Sequence, residues 1–214
     1  MTNIQKAEAF LKEAFAGCAY FREDPAAGEY RLQHSWRAAN VAREIARREK
    51  LDEEGLIIGA LLHDVGYSVL GPNDDWGEHG RVSAHLARPF LERLHLTAGQ
   101  VEEICYGIAI HVDGKADFEG EKTPFALSIG DADDVDRFDA YRIYETMVFE
   151  DFRSLKINEK RRWLEEKIQW TLRRAAKRYG TQTAGEMIAE RLLYQRQYYE
   201  RVLKQMEYSE SLRD

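Results

Sequence analysis

Apolar residues recur every three to four positions along almost the whole chain, and no convincing segment alternates apolar with polar residues as a half-buried strand would. A chain of this texture folds as packed amphipathic helices. The periodicity predicts helices over Ile4–Phe15, Arg31–Lys50, Glu53–Asp64, His79–Leu94 and Gly99–His111, and a further helix that starts at Pro124 and continues toward Tyr144. Gly71-Pro72 and the neighbouring acids mark SVLGPNDDWGE as a loop, and VDGKADFEGEKT reads the same way. Beyond Asp151 the texture changes to two long helices, Asn158–Tyr179 and Ala184–Ser211, rich in Arg, Lys, Glu, Tyr and Trp and separated at Gly180-Thr181. The expected fold is therefore all-α: a functional core over residues 1–150 and a helical appendage over 151–214, packed on the core or at a dimer face.

The chain of 214 residues is long enough for a sizeable core, with 44% hydrophobic residues to fill it. A formal net charge of -7 argues against a partner made of polymeric nucleic acid or a membrane surface, since both call for a basic face. The basic stretch from Arg173 to Arg178 is interleaved with acids in its surroundings and reads as a solvated helix face. Cys18 and Cys105 have no CxxC spacing and read as buried small hydrophobes in a reducing compartment. The N-terminal residues lack a signal-peptide core, and no apolar run is long enough to span a bilayer, so the expected location is cytoplasmic.

Certain histidines and acids sit on the apolar stripes of these helices. His34 shares a face with Ala38, Val41 and Ile45, while His63 follows Leu56 and Ala60. Asp64 follows Ile57, Ala60 and Leu61, and His79 shares a stripe with Val82, Leu86 and Phe90. His111 follows Ile104 and Ile108, and Asp133 stands one turn after Ile129. Burying such groups singly is costly, but several that converge from separate helices offset that cost by sharing a metal ion. Any one of these histidines alone would more often be an ordinary core or surface residue, so the weight lies on the set. His85 and His95 lack such a placement and read as surface residues.

The order His…His-Asp…Asp, centred on LLHDVGY, resembles the HD superfamily of metal-dependent phosphohydrolases over roughly residues 30–140. HSWR at His34–Arg37 is similar to the family's first motif, His63-Asp64-Val65-Gly66 to its central pair, and Ala132–Asp136 to its last. The resemblance implies that His34, His63, Asp64 and Asp133 hold one divalent ion. His79 and His111 occupy the places of the two further histidines of binuclear members, which implies a second ion with Asp64 bridging and central to catalysis. One or two ions are expected, with Mn, Fe, Mg, Zn and Ni undistinguished. Within GDADDVDRFD, helical phase leaves Asp131 open beside Asp133, and Asp136 is a candidate for orienting a ligand.

The implied activity is hydrolysis of a small phosphorylated substrate, such as a nucleotide, by a metal-activated water, a task suited to paired divalent ions. Arg37, Lys115 and Arg137 are the candidate contacts to substrate phosphates, each set against the blander reading of a solvated charge. Trp76 is a candidate cover for a base or ring. Two other readings remain: an HD-type di-iron oxygenase, and a non-catalytic HD fold used for binding. Tyr67 stands three positions after the HD pair, where the inositol oxygenase and the cyclic-dinucleotide phosphodiesterases of the superfamily carry lysine, and this departure favours a generic phosphoester hydrolase. A second copy of the chain is a candidate partner.

Overall fold

A computed structural model describes residues 1–71 and 73–209. Ten α-helices follow in order: α1 (Asn3–Gly17), α2 (Ala19–Glu23), α3 (Pro25–Glu49), α4 (Glu53–Leu62), α5 (His79–Leu91), α6 (Ala98–Ile110), α7 (Pro124–Arg137), α8 (Ala140–Phe149), α9 (Ile157–Ala175) and α10 (Gln182–Met206). Among the described residues there is no strand, so the all-α expectation holds. No described helix is long and apolar enough to cross a membrane. Pro72, in the expected first loop, and the end of the last expected helix at Ser211 lie outside the described residues.

Two compact units emerge, one of Met1–Asp136 with Tyr179–Ala184, the other of Arg137–Arg178 with the chain from Gly185 onward. The division therefore falls at Arg137, earlier than the boundary expected at residue 150. The reason is α8: its Ile143 is buried with Leu164, Tyr199 and Met206, and Met147 packs on the same cluster, so this helix belongs with α9 and α10. The single helix expected from Pro124 toward Tyr144 is likewise two helices. Asp139 adopts an extended backbone between them and caps α8 by accepting from the Ala140 N–H at 2.6 Å.

In the first unit, α4 is the central helix and packs against α1, α3 and α6. Every residue from Gly55 to Leu62 is buried, as expected of a helix that is apolar all round. Asp52 caps its start by accepting from the Gly55 N–H at 3.1 Å. Helix α3 begins two turns earlier than the periodicity suggested, because Pro25 occupies its first turn and Asp24 accepts from the Ala27 N–H. Two glycines permit close approach where the functional residues converge. A Cβ at Gly66 would stand 2.8 Å from the His79 carbonyl oxygen, and one at Gly107 would stand 2.8 Å from that of Ala126. Cys18 and Cys105 are both free and buried, and burial pushes the Cys105 thiol up to about 11.

Candidate metal centre

Six elements of the first unit deliver the six residues singled out by their stripes. His34 lies in the middle of α3, where 25 residues of helix carry it inward. His63 ends α4, and Asp64 opens the short 3-10 turn Val65–Ser68. The Gly66 N–H donates to Ser83 Oγ at 2.8 Å, which ties that turn to α5. His79 is the first residue of α5, His111 caps the C-terminus of α6, and Asp133 lies on α7. His34, His63, Asp64 and Asp133 are at most 4% exposed, and the His111 side chain is 1% exposed.

The donor atoms form three overlapping groups: His34 with His63 and Asp64, His63 with His111 and Asp133, and Asp64 with His79 and His111. Within each group the atoms lie within 4.8 Å of one another. Asp64 Oδ1 is 3.3 Å from His79 Nε2, 3.6 Å from His63 Nε2 and 3.7 Å from His111 Nε2, while Oδ2 is 3.7 Å from His34 Nε2. Asp133 Oδ1 is 3.1 Å from His34 Nε2 and 3.7 Å from His63 Nε2. Neighbouring ligands about 2.1 Å from a shared ion stand roughly 3.0–3.4 Å apart in octahedral or tetrahedral geometry. These separations, 3.1 to 3.7 Å, are of that size or a few tenths of an ångström longer.

The second nitrogen of each imidazole explains why the cluster suits a cation. His63 Nδ1 donates to the Ala60 carbonyl at 2.7 Å, His111 Nδ1 to that of Ile108 at 2.7 Å, and His79 Nδ1 to that of Trp76 at 2.6 Å. His34 Nδ1 donates to Asp136 Oδ2 at 2.7 Å. In neutral rings every Nε2 then carries a lone pair. His34 and His63 bring these atoms to 3.1 Å of each other, and His79 and His111 bring theirs to 3.0 Å. Two lone pairs facing across such a gap repel unless a proton or a metal ion lies between them. Imidazoles whose second nitrogen is tied to a carbonyl or carboxylate are the usual metal-ligand arrangement. The residues present therefore fit one or two divalent ions.

Electrostatics point the same way. Burial by itself would lower the His34 pKa, but the carboxylates of Asp133 and Asp136 hold it up at about 9. Burial would raise the Asp64 pKa, yet His63 and Arg31 hold it well below the usual carboxylate range. The centre thus keeps its carboxylate ionised and draws positive charge to the imidazole face.

Asp131 and Asp133 have different surroundings. Asp131 Oδ2 accepts from the Gly180 N–H at 2.7 Å, whereas Asp133 Oδ1 stands against His34 and His63. Asp136 takes the His34 N–H and also accepts from Arg37 at 2.6 and 3.2 Å. Arg37, expected at a substrate phosphate, is therefore engaged as the partner of a ligand-orienting carboxylate. Arg137, expected in the same role, belongs to the second unit and lines a cavity there. Lys115 is exposed, and its backbone carbonyl accepts from Arg81. His85 pairs with Asp117 at the surface, 57% exposed, and His95 is exposed, as their positions suggested.

Two contributors were missed from the sequence. Arg31 donates to Asp64 Oδ2 at 2.8 Å and lies over the Tyr67 ring, 4.0 Å from its centre. Tyr67 stacks on His79 with ring centres 4.6 Å apart and also meets Trp76, with ring centres 5.3 Å apart. Arg31 stands three residues before His34, so the helical face that carries His34 already contained the signal.

The fold and the geometry define an all-α protein with a buried His/Asp centre able to hold divalent metal. The family model of the HD domain matches residues 31–141, just over half of the chain, and the chain belongs to the HD domain family. It is similar in fold to a crystal structure described as a predicted HD superfamily hydrolase from an uncultured Thermotogales bacterium. The TM-score is 0.64 at 23% identity, with 95% of this chain and 93% of that chain covered. No curated protein gives a significant match.

Proposed function

We propose that this chain is a metal-dependent phosphohydrolase that acts on a small phosphorylated substrate, with a nucleotide as the favoured class. The observation that carries this reading is the pair of facing imidazole nitrogens on either side of Asp64, because Asp64 is shared by two of the three donor groups. His34, His63, Asp64 and Asp133 are proposed to hold one ion, and His79 and His111 a second, with Asp64 common to both. When bound, a pair of divalent ions supplies Lewis acidity to a phosphoryl group and lowers the pKa of water, so that no protein nucleophile is needed.

The side chains have separate tasks in this reading. Asp64 remains ionised and sets the spacing of the two histidine pairs. Asp136 holds the His34 ring with its Nε2 inward, and Arg37 fixes Asp136 in turn. Arg31 is 29% exposed beside Asp64 and takes over the phosphate contact first expected of Arg37. Its planar guanidinium, already braced on Tyr67, matches phosphate geometry. Tyr67 and Trp76 form an aromatic wall next to His79, and Trp76 is 37% exposed and open to a substrate ring. Support for a hydrolase also comes from family membership and from the description of the structural neighbour.

A phosphate-release screen over nucleoside mono-, di- and triphosphates with Mn²⁺ tests the proposal. Release of phosphate or pyrophosphate that disappears in His63→Ala and Asp64→Ala is the expected result. Full activity in either variant, or no release from any phosphoester, overturns it.

A further inference from the structure

The second unit carries a half-open cavity of about 440 Å³, in the size range of small-molecule sites, and none of the six His/Asp residues lines it. Three helices each present one stripe to it. Helix α9 contributes Trp163, Lys167, Trp170 and Arg173, at helical spacing along one face. Helix α8 contributes Arg142 and Thr146, with Glu150 at its C-cap, and α10 contributes Gln195 and Tyr199.

Gln195 is the unusual member. It is only 4% exposed and stands at the cavity wall. A buried carboxamide at a cavity wall is placed to hydrogen-bond to whatever occupies the cavity. The carboxamide offers a donor and an acceptor side by side, which is the complement of a heterocycle edge.

The rest of the lining has matching chemistry. Trp170 stands edge-on to Phe138 with ring centres 5.2 Å apart, and Trp163 stands edge-on to Tyr199 at 5.6 Å. Four lining side chains are cationic (Arg137, Arg142, Lys167 and Arg173) and two are acidic. Of the acids, Glu150 is engaged by the Trp163 indole N–H and by Lys167, the latter at 2.7 Å. The cavity thus combines aromatic surface, a hydrogen-bonding amide and surplus positive charge.

We propose that this cavity is a second ligand site, for a planar heteroaromatic ring that carries an anionic group, the chemistry of a nucleoside monophosphate. Trp163 and Trp170 supply the stacking surface, Gln195 the contact to the ring edge, and Arg173 with Arg142 the contact to the anion. The site is independent of hydrolysis at the metal centre, and it stands whether or not the chain cleaves phosphoesters.

The test titrates the full-length protein with AMP and GMP, and separately with adenosine and inorganic phosphate, by tryptophan fluorescence and calorimetry in the presence of chelator. Saturable binding of at least one nucleotide, with nucleoside and phosphate each weaker by about tenfold or more, is expected, by the loss of one anchored group. Gln195→Leu and Arg173→Ala should each weaken it by a similar factor while circular dichroism stays that of a folded helical protein, and His63→Ala should leave it in place. Arg173 is exposed, which keeps a folded variant available even if Gln195→Leu unfolds. Absence of nucleotide binding overturns the proposal. So does binding that survives Gln195→Leu and Arg173→Ala but is lost in His63→Ala, since the nucleotide would then sit at the metal centre.

Discussion

The two units bury polar groups in opposite ways. In the first, nine buried polar or charged residues accompany the apolar core, and His34, His63, Asp64 and Asp133 converge on one point from separate elements. In the second, only Thr171 and Gln195 are buried polar residues among those described; Thr171 satisfies itself locally on the Ile168 carbonyl. The helices of the first unit are therefore committed to a polar centre that makes sense only with cations in it. Those of the second close over aromatic and aliphatic side chains, as ordinary amphipathic helices do. The difference teaches that a buried charge is informative by its company: isolated it is a cost, and gathered with opposed lone pairs it is a site.

The strongest way to break the comparison is Asp64→Ala. It removes the carboxylate common to both histidine pairs, and phosphate release should fall by about a hundred- to a thousandfold, the scale of lost electrostatic stabilisation. Retained activity would detach the chemistry from this centre. Next in size is Leu164→Ala, which hollows the fully buried cluster of the second unit and should destabilise the chain by about 2–5 kcal/mol in denaturant unfolding. Metal content should not change, and a loss of metal in this variant would contradict the separation of roles.

Asp136→Asn removes the carboxylate that holds His34 while leaving all six cluster residues intact. Metal affinity, read by chelator competition, should weaken by about 10–100-fold. An unchanged affinity would make Asp136 a bystander. The smallest effect is expected for His85→Ala, whose ion pair with Asp117 is exposed; stability should shift by less than about 1 kcal/mol and metal content not at all.

Much of the first unit was legible because the helix period is a strong signal and ligands inside a bundle must interrupt an apolar stripe. His34, His63, Asp64, His79, His111 and Asp133 each did so, and the structure gathers them. The division between Asp131 and Asp133 was not legible, since both follow an apolar residue by one turn; it took the position of the Gly180 N–H to separate their surroundings. The bond from Arg37 to Asp136, a partner 99 residues away, was not legible either, since the spacing of Arg37 from His34 fits a substrate contact as well. The break at Asp139 was hidden because neither Gly nor Pro marks it. In the tail, periodicity cannot tell a filled stripe from one that lines a cavity.

Metal content by elemental analysis, on the wild-type protein purified without added metal and on His79→Ala and His111→Ala prepared alongside, tests the central claim most directly. The account predicts two divalent ions per wild-type chain and about one in each variant, since each removes a ligand of one ion only. Metal-free wild-type protein, or variants that keep the full complement, would contradict it.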